Sequence, residues 1–326
     1  KPGDENFLIQ LMEGVEDIPG TALHEGIDWE WETFPEFLNA IERKEFVMDL
    51  GFMIGHGPVR SYVMGYDRCQ NQVDASKEEI NQMSEIVEKA INAGALGFST
   101  SRTILHRDVH GVYVPGTEAS SEEMKELAFA VDRAGEGTLE IVSDWLDQEI
   151  EMSWMKEYVE KSDCGLTVLQ TNGDSVKTIL YCEEQFLKGK NVRPQFPGRN
   201  VGLMFGLESS LHPFIGHPSY KEISHLPLNE RLSIMRDPAF KQKILNESPS
   251  FREDLQKAAK EQKTNKTKEE IKAEAEMGKK LISNYETQFI LSDPPNYEPT
   301  REDSIAYLAE QRNQSEEEVI YDELIK

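Results

Sequence analysis

The residues best equipped for chemistry gather in one stretch. In GALGFSTSRTILHRDVH, Gly94–His110, small apolar positions give way to two Ser, two Thr, two Arg and two His. Such a burst can hold a metal, bind a polar substrate or line the rim of a strand. Other candidates are scattered: His56 in IGHGPVR, Ser143 and Asp144 in TLEIVSD, Gln170 and Thr171 in LTVLQT, Arg193 and Gln195 in VRPQF. Arg102 has the planar fork that grips a carboxylate by two oxygens. Each also has a plainer reading. His56 between two glycines can serve a tight turn, His106 and His110 can be solvated loop side chains, and His212 and His217 flank prolines.

Spacing narrows the chemistry. A catalytic zinc needs several His, Cys or carboxylate groups converging on one point, and the chain has no HxH, no HExxH and no Cys/His pair of suitable spacing. A G-x-S-x-G elbow is absent too, GFSTS matching it only by its glycine and serine. No G-x-G-x-x-G follows the first expected strand and there is no P-loop lysine, so nucleotide sites lose support.

The elements that must position these residues show a helix-then-strand rhythm. Ser76 and Glu79 form an S-x-x-E capping box, and Ile80, Met83, Ile86, Val87, Ala90 and Ile91 then share one helical face. Gly94 stops that helix before a strand in ALGFST. Ser120 and Glu123 repeat the box, Met124, Leu127, Ala128 and Val131 the stripe, and Gly135 and Gly137 precede TLEIVSD. IEMSWMKEYVEKSDC leads into GLTVLQT and VKTILYCEEQFLKGK into VRPQF, with an earlier strand in FVMDLGFMIGHG. Strands alternating with helices imply a parallel sheet, and the expected fold is α/β, a partial (β/α)8 barrel.

In such a barrel, functional side chains sit at the C-terminal ends of the strands. The expected substrate-binding set is therefore His56, Ser99, Ser101, Arg102, His106, Ser143, Asp144, Gln170 and Arg193. Residues 1–205 are expected to carry the central βα units, and 206–326 a helical, loop-rich excursion. In the latter, Asp237 and Pro238 open a helix, the Lys/Glu-rich run near 251–285 reads as an exposed one, and Ser315 with Glu318 caps a last helix through Val319, Ile320 and Leu324.

Composition sets outer limits. The net charge of −25, from 60 acidic and 35 basic side chains, would repel nucleic acid. No apolar run reaches the ~18 residues that span a bilayer. Three cysteines without a CxxC pair point to reduced thiols and a cytoplasmic setting. The first 50 residues carry 13 Asp/Glu against Lys1, Arg43 and Lys44, which reads as a solvated acidic face.

Five stretches taken together resemble the N-acyl-D-amino-acid deacylases, or D-aminoacylase type, of the amidohydrolase superfamily: LIQLMEGVEDIPGTAL, DWEWETFPEFLNAIE, IGHGPVRSYVMG, INAGALGFSTSRT and LSDPPNYEP. The resemblance implies a metal-dependent (β/α)8 barrel in which zinc-bound water hydrolyses the amide of an N-acyl-D-amino acid or related small molecule. It places the family's HxH and Cys ligands before Lys1 and its catalytic aspartate beyond Lys326, so the chain is expected to be a barrel fragment. No catalytic residue and no metal ligand is then assignable within it. At the family's two remaining His positions stand Ser143 (within one residue) and Gln170. Three readings follow: an amidohydrolase with zinc in the complete protein, a cyclic-amide hydrolase on the same barrel, or a catalytically silent ligand-binding relative. For the chain alone, neither bound zinc nor hydrolysis is expected.

Overall fold

A computed structural model describes residues 3–16, 18–170, 176–198, 201–209, 211–250 and 268–326. The chain divides into two compact units, Lys1–Val201 and Gly202–Lys326.

The first unit is α/β. Its elements run α1 (Glu5–Glu16), α2 (Gly20–Gly26), α3 (Phe34–Glu42), β1 (Ile54–Gly55), α4 (His56–Met64), α5 (Tyr66–Gln70), α6 (Lys77–Asn92), β2 (Gly97–Arg102), α7 (Ser121–Ala134), β3 (Thr138–Ser143), α8 (Gln148–Lys161), β4 (Gly165–Leu169), α9 (Val176–Leu187) and β5 (Val192–Gln195). The strands form one sheet in the order β1-β2-β3-β4-β5, every pair parallel. Because the order never reverses, these five strands contain no topological switch point.

Local sequence explains the main elements. Ser76 accepts from the Glu79 amide and the Glu79 carboxylate returns to the Ser76 amide, so the box that starts α6 is complete. Its stripe, with Ile80, Met83, Val87, Ala90 and Ile91, packs with Phe98, Leu139, Ile141, Leu166 and Val168 of the sheet and Trp154 and Tyr158 of α8. Burying each Ile, Val, Leu, Met or Phe among these contributes roughly 1.5–3 kcal/mol. Gly97 is needed where it stands. Its φ is +154°, and a Cβ there would lie 1.9 Å from the Thr138 carbonyl oxygen on β3.

Three expectations need correction. The strand in FVMDLGFMIGHG shrinks to Ile54–Gly55, with Val47 and Met48 outside any strand and exposed. Ser120 caps α7 through the Glu123 amide, but the Glu123 side chain does not close the box. It turns inward instead and is fully buried. Residues 251–267 of the Lys/Glu-rich run lie outside the described residues; the helix Lys268–Ser283 buries Ile271, Ala275 and Ile282, so it is amphipathic rather than wholly exposed.

The second unit is helical among its described residues. Phe214, Tyr220, Met235, Ile244, Ile305, Val319 and Tyr321 form its core. Asp237 caps Pro238–Leu245 and Ser315 caps Glu316–Leu324, as their residue types imply. His212 and His217 belong to this interior. His212 sits edge-on to the Tyr220 ring at 4.4 Å, and burial lowers its pKa to about 4.

Candidate functional site

Strand alternation sorts the candidate residues onto two faces of the sheet. Phe98, Thr100, Leu139, Ile141, Leu166 and Val168 are buried and face the helices. Arg102 and Ser143, in register with each other, continue that face, as does Gln170. Ser99, Ser101, Glu140 and Thr167 point the other way and stay half-buried. Ser99 pairs in register with Glu140, Glu140 with Thr167, and Thr167 with Arg193. A polar row thus crosses four strands. Ser99 and Arg193 therefore sit mid-strand, below the end of β3 marked by Ser143.

His56 is on the helix side. It opens α4, is 2% exposed, and both ring nitrogens are engaged: Nε2 with Glu123 Oε1 and Nδ1 with Thr100 Oγ1, each at 2.8 Å. An ionised carboxylate only accepts, so Nε2 carries the proton and Thr100 donates its hydroxyl to Nδ1. Arg60, one turn along α4, donates Nε to the same Glu123 oxygen at 2.8 Å and Nη2 to the Val73 carbonyl. Burial raises the cost of the Glu123 charge, yet the bonds from His56 and Arg60 hold its carboxyl below the usual range. Burial likewise keeps His56 below the usual imidazole value, hence neutral.

Arg102 is committed as well. Its Nε reaches both Glu151 oxygens, at 2.8 and 2.9 Å, and Nη1 donates to the Ala119 carbonyl at 2.8 Å. The carboxylate its fork suits is supplied by α8. Ser143 Oγ accepts from the Trp145 amide at 3.1 Å. Gln170 is fully buried, with Nε2 on the Val168 carbonyl at 3.3 Å. Arg193 is exposed and stacks over the Phe186 ring, 4.3 Å from its centroid. Thr171 lies outside the described residues.

The opposite face gathers a smaller set at the strand ends. Ser101 Oγ meets His106 Nδ1 at 2.7 Å. Asp144 accepts from Thr103 Oγ1 and from the Ile104 amide, both at 2.6 Å, and so fixes the start of the loop that carries His106. Burial lowers the His106 pKa, while Glu16 and Asp144 act to raise it. The loop ties itself down further on. Asp108 Oδ1 accepts from the His110 and Val112 amides, and Arg107 lies over the Tyr113 ring. Its return limb passes Gly116, whose φ of +102° and lack of a Cβ leave room for the His56 ring.

The structure therefore brings Ser101, His106 and Asp144 together on one face and sets His56, Arg102, Ser143 and Gln170 on the other. Sequence reasoning missed Glu123, Arg60, Glu151 and Glu140. The i,i+4 spacing of His56 and Arg60 puts both on one helix face, which was a signal that they could share a partner. Glu123 read as a cap and concealed the other.

No family model matches the chain. Over 120 residues, 37% of the chain, it is 30% identical to a D-aminoacylase of Alcaligenes xylosoxydans xylosoxydans. The chain is thus similar to a deacylase. The match spans 22% of that enzyme's length. A 70-residue stretch is also 30% identical to an uncharacterized protein of Mycobacterium tuberculosis, covering 21% of this chain and 12% of that one. The solved N-acyl-D-glutamate deacylase of Bordetella bronchiseptica, complexed with zinc and a phosphonate inhibitor, overlaps 50% of this chain and 33% of its own. At 19% identity and a TM-score of 0.39, that overlap supports no argument about fold or site.

Among the described residues no helix is long and apolar enough to cross a membrane. The three cysteines are unpaired.

Proposed function

We propose that the chain is a central part of an amidohydrolase-type (β/α)8 barrel, and that its mouth receives an N-acyl-D-amino acid or a related amide. The observation that carries this reading is the 30% identity with a D-aminoacylase over 120 residues. The consecutive parallel order of β1 to β5 supports a barrel over a doubly wound sheet, because a doubly wound sheet reverses its strand order. In this reading the polar row Ser99, Glu140, Thr167 and Arg193 lines the barrel interior, and the ends of β2 and β3 form part of the rim.

Within this chain, Ser101 holds His106 by Nδ1, which leaves Nε2 as the ring nitrogen assigned to the substrate. Asp144 orders the loop behind it. Binding and orientation of the substrate are the roles assigned to these residues, and the reaction belongs to the whole protein. A cytoplasmic setting is part of the same reading, supported by the unpaired cysteines.

A second reading is a ligand-binding relative without catalysis, favoured by Ser143 and Gln170 standing where the resemblance places histidines. Parallel titrations with N-acetyl-D- and N-acetyl-L-methionine, followed by the imidazole proton signals of the histidines, test the binding claim. A His106 shift with the D form, weaker with the L form, is expected; no shift with either defeats the proposal. Hydrolysis of the same pair by the complete protein separates the two readings.

A further inference from the structure

Zinc accompanies the deacylase resemblance, and the donors among the described residues do not fit it. All seven histidines and all three cysteines lie among the described residues. His56 has both nitrogens engaged inside the helix layer, and His106 commits Nδ1 to Ser101. His212 and His217 are buried in the core of the second unit. His24, His110 and His225 are exposed, and no group of three or more His, Cys, Asp or Glu among the described residues is placed to hold a metal ion.

The thiols are unsuited too. Zinc binds the thiolate, and burial pushes Cys182 up to about 11 and raises Cys69 and Cys164. At the two positions where the resemblance sets imidazoles, Ser143 Oγ is engaged by a backbone amide, and Gln170 is sealed at 0% exposure. A hydroxyl and an amide are poor zinc ligands beside imidazole, and a catalytic site takes about three protein ligands.

We infer that Ser143 and Gln170, at the ends of β3 and β4, supply no zinc ligand, so that any zinc in a protein built on this sheet is held by residues other than these. The inference deepens the proposed function and rests on it. The positions where the resemblance sets imidazoles are instead built as structure: Ser143 fixes the turn to Trp145, and Gln170 is closed over with its Nε2 on the Val168 carbonyl.

The test is zinc chloride titration by calorimetry, with elemental analysis, on the chelator-treated full chain and on its Ser143→Ala and Gln170→Ala variants. The expected result is no stoichiometric submicromolar binding, or binding that both variants retain. Stoichiometric submicromolar binding that weakens tenfold or more in either variant overturns the inference. Thermal transitions of the variants establish that each is folded, and a wild-type chain that takes up no zinc supports the inference without them. The N-acetylmethionine titration is read separately. Its failure strikes the proposed function, whereas variant-sensitive zinc binding strikes this inference alone.

Discussion

The two faces of the sheet use the same kinds of residue for opposite ends. On the helix side, His56, Arg60, Arg102, Glu123 and Glu151 are buried or nearly so and bond one another or fixed carbonyls. On the other side, Ser99, Ser101, Glu140, Thr167 and His106 keep part of their surface accessible. Burying a charge is costly unless it is paired, so the helix face is where polar residues must satisfy one another. A polar residue near a strand end is thus a candidate for function only after its face is known.

That contrast predicts a ranking of effects. The largest should come from Glu123→Ala, which strands a buried Arg60 and removes the partner of His56. A loss of about 3–5 kcal/mol is expected, read as a fall in the urea midpoint. A loss below about 1 kcal/mol would show that the helix-side network is dispensable.

Next is Gly116→Ala. Its Cβ would stand 2.6 Å from His56 Nδ1, at a φ of +102° that L residues rarely adopt. A destabilisation of roughly 1–3 kcal/mol is expected, with faster amide exchange across the loop before α7. Arg102→Lys should cost about 1.5–3 kcal/mol, because Lys cannot reproduce the fork on Glu151. In the N-acetylmethionine titration it should leave the His106 response intact. A variant of unchanged stability with abolished ligand response would move Arg102 to the binding face.

The pH dependence sharpens the same division. Burial lowers the folded-state pKa of His56, so the unfolded chain binds the proton more readily. Its contribution to stability is present above about pH 6.5, the unfolded value, and is lost as pH falls below it. His212, at about 4 in the second unit, acts in the same sense between about pH 6.5 and 4. Urea midpoints between pH 8 and 4.5 should fall, and His56→Gln should flatten the fall of the first unit's transition. The smallest effect is assigned to Ser99→Ala, within about 0.5 kcal/mol, since no buried partner is left behind.

The order and direction of the strands were legible because capping serines and 3.6-residue stripes report backbone geometry directly. The α6 box shows this at its clearest. The face of each strand residue was less legible, because an alternation of polar and apolar residues fails at Thr100, Arg102 and Gln170, where polar side chains lie on the apolar face. Glu123 was invisible as a core acid since its position, three residues after Ser120, already had a local explanation. β1 was overcalled for a related reason. An apolar run such as FVMDLGF signals burial in a sheet only when something covers it, and here Val47 and Met48 are exposed.

Pro194 on β5 carries a last consequence. Asn191 and Gln195 turn their carbonyls to the Leu166 and Gln170 amides on β4. Pro194, one step out of phase, faces away from β4 and lacks the amide hydrogen that would otherwise project there. Among the described residues β5 is an outer strand, and its free edge is a template on which a foreign chain could add. The proline interrupts that template at its middle. Any strand that joins β5 at that edge must do so with one rung missing from the ladder, which makes the edge a poorer template for self-assembly.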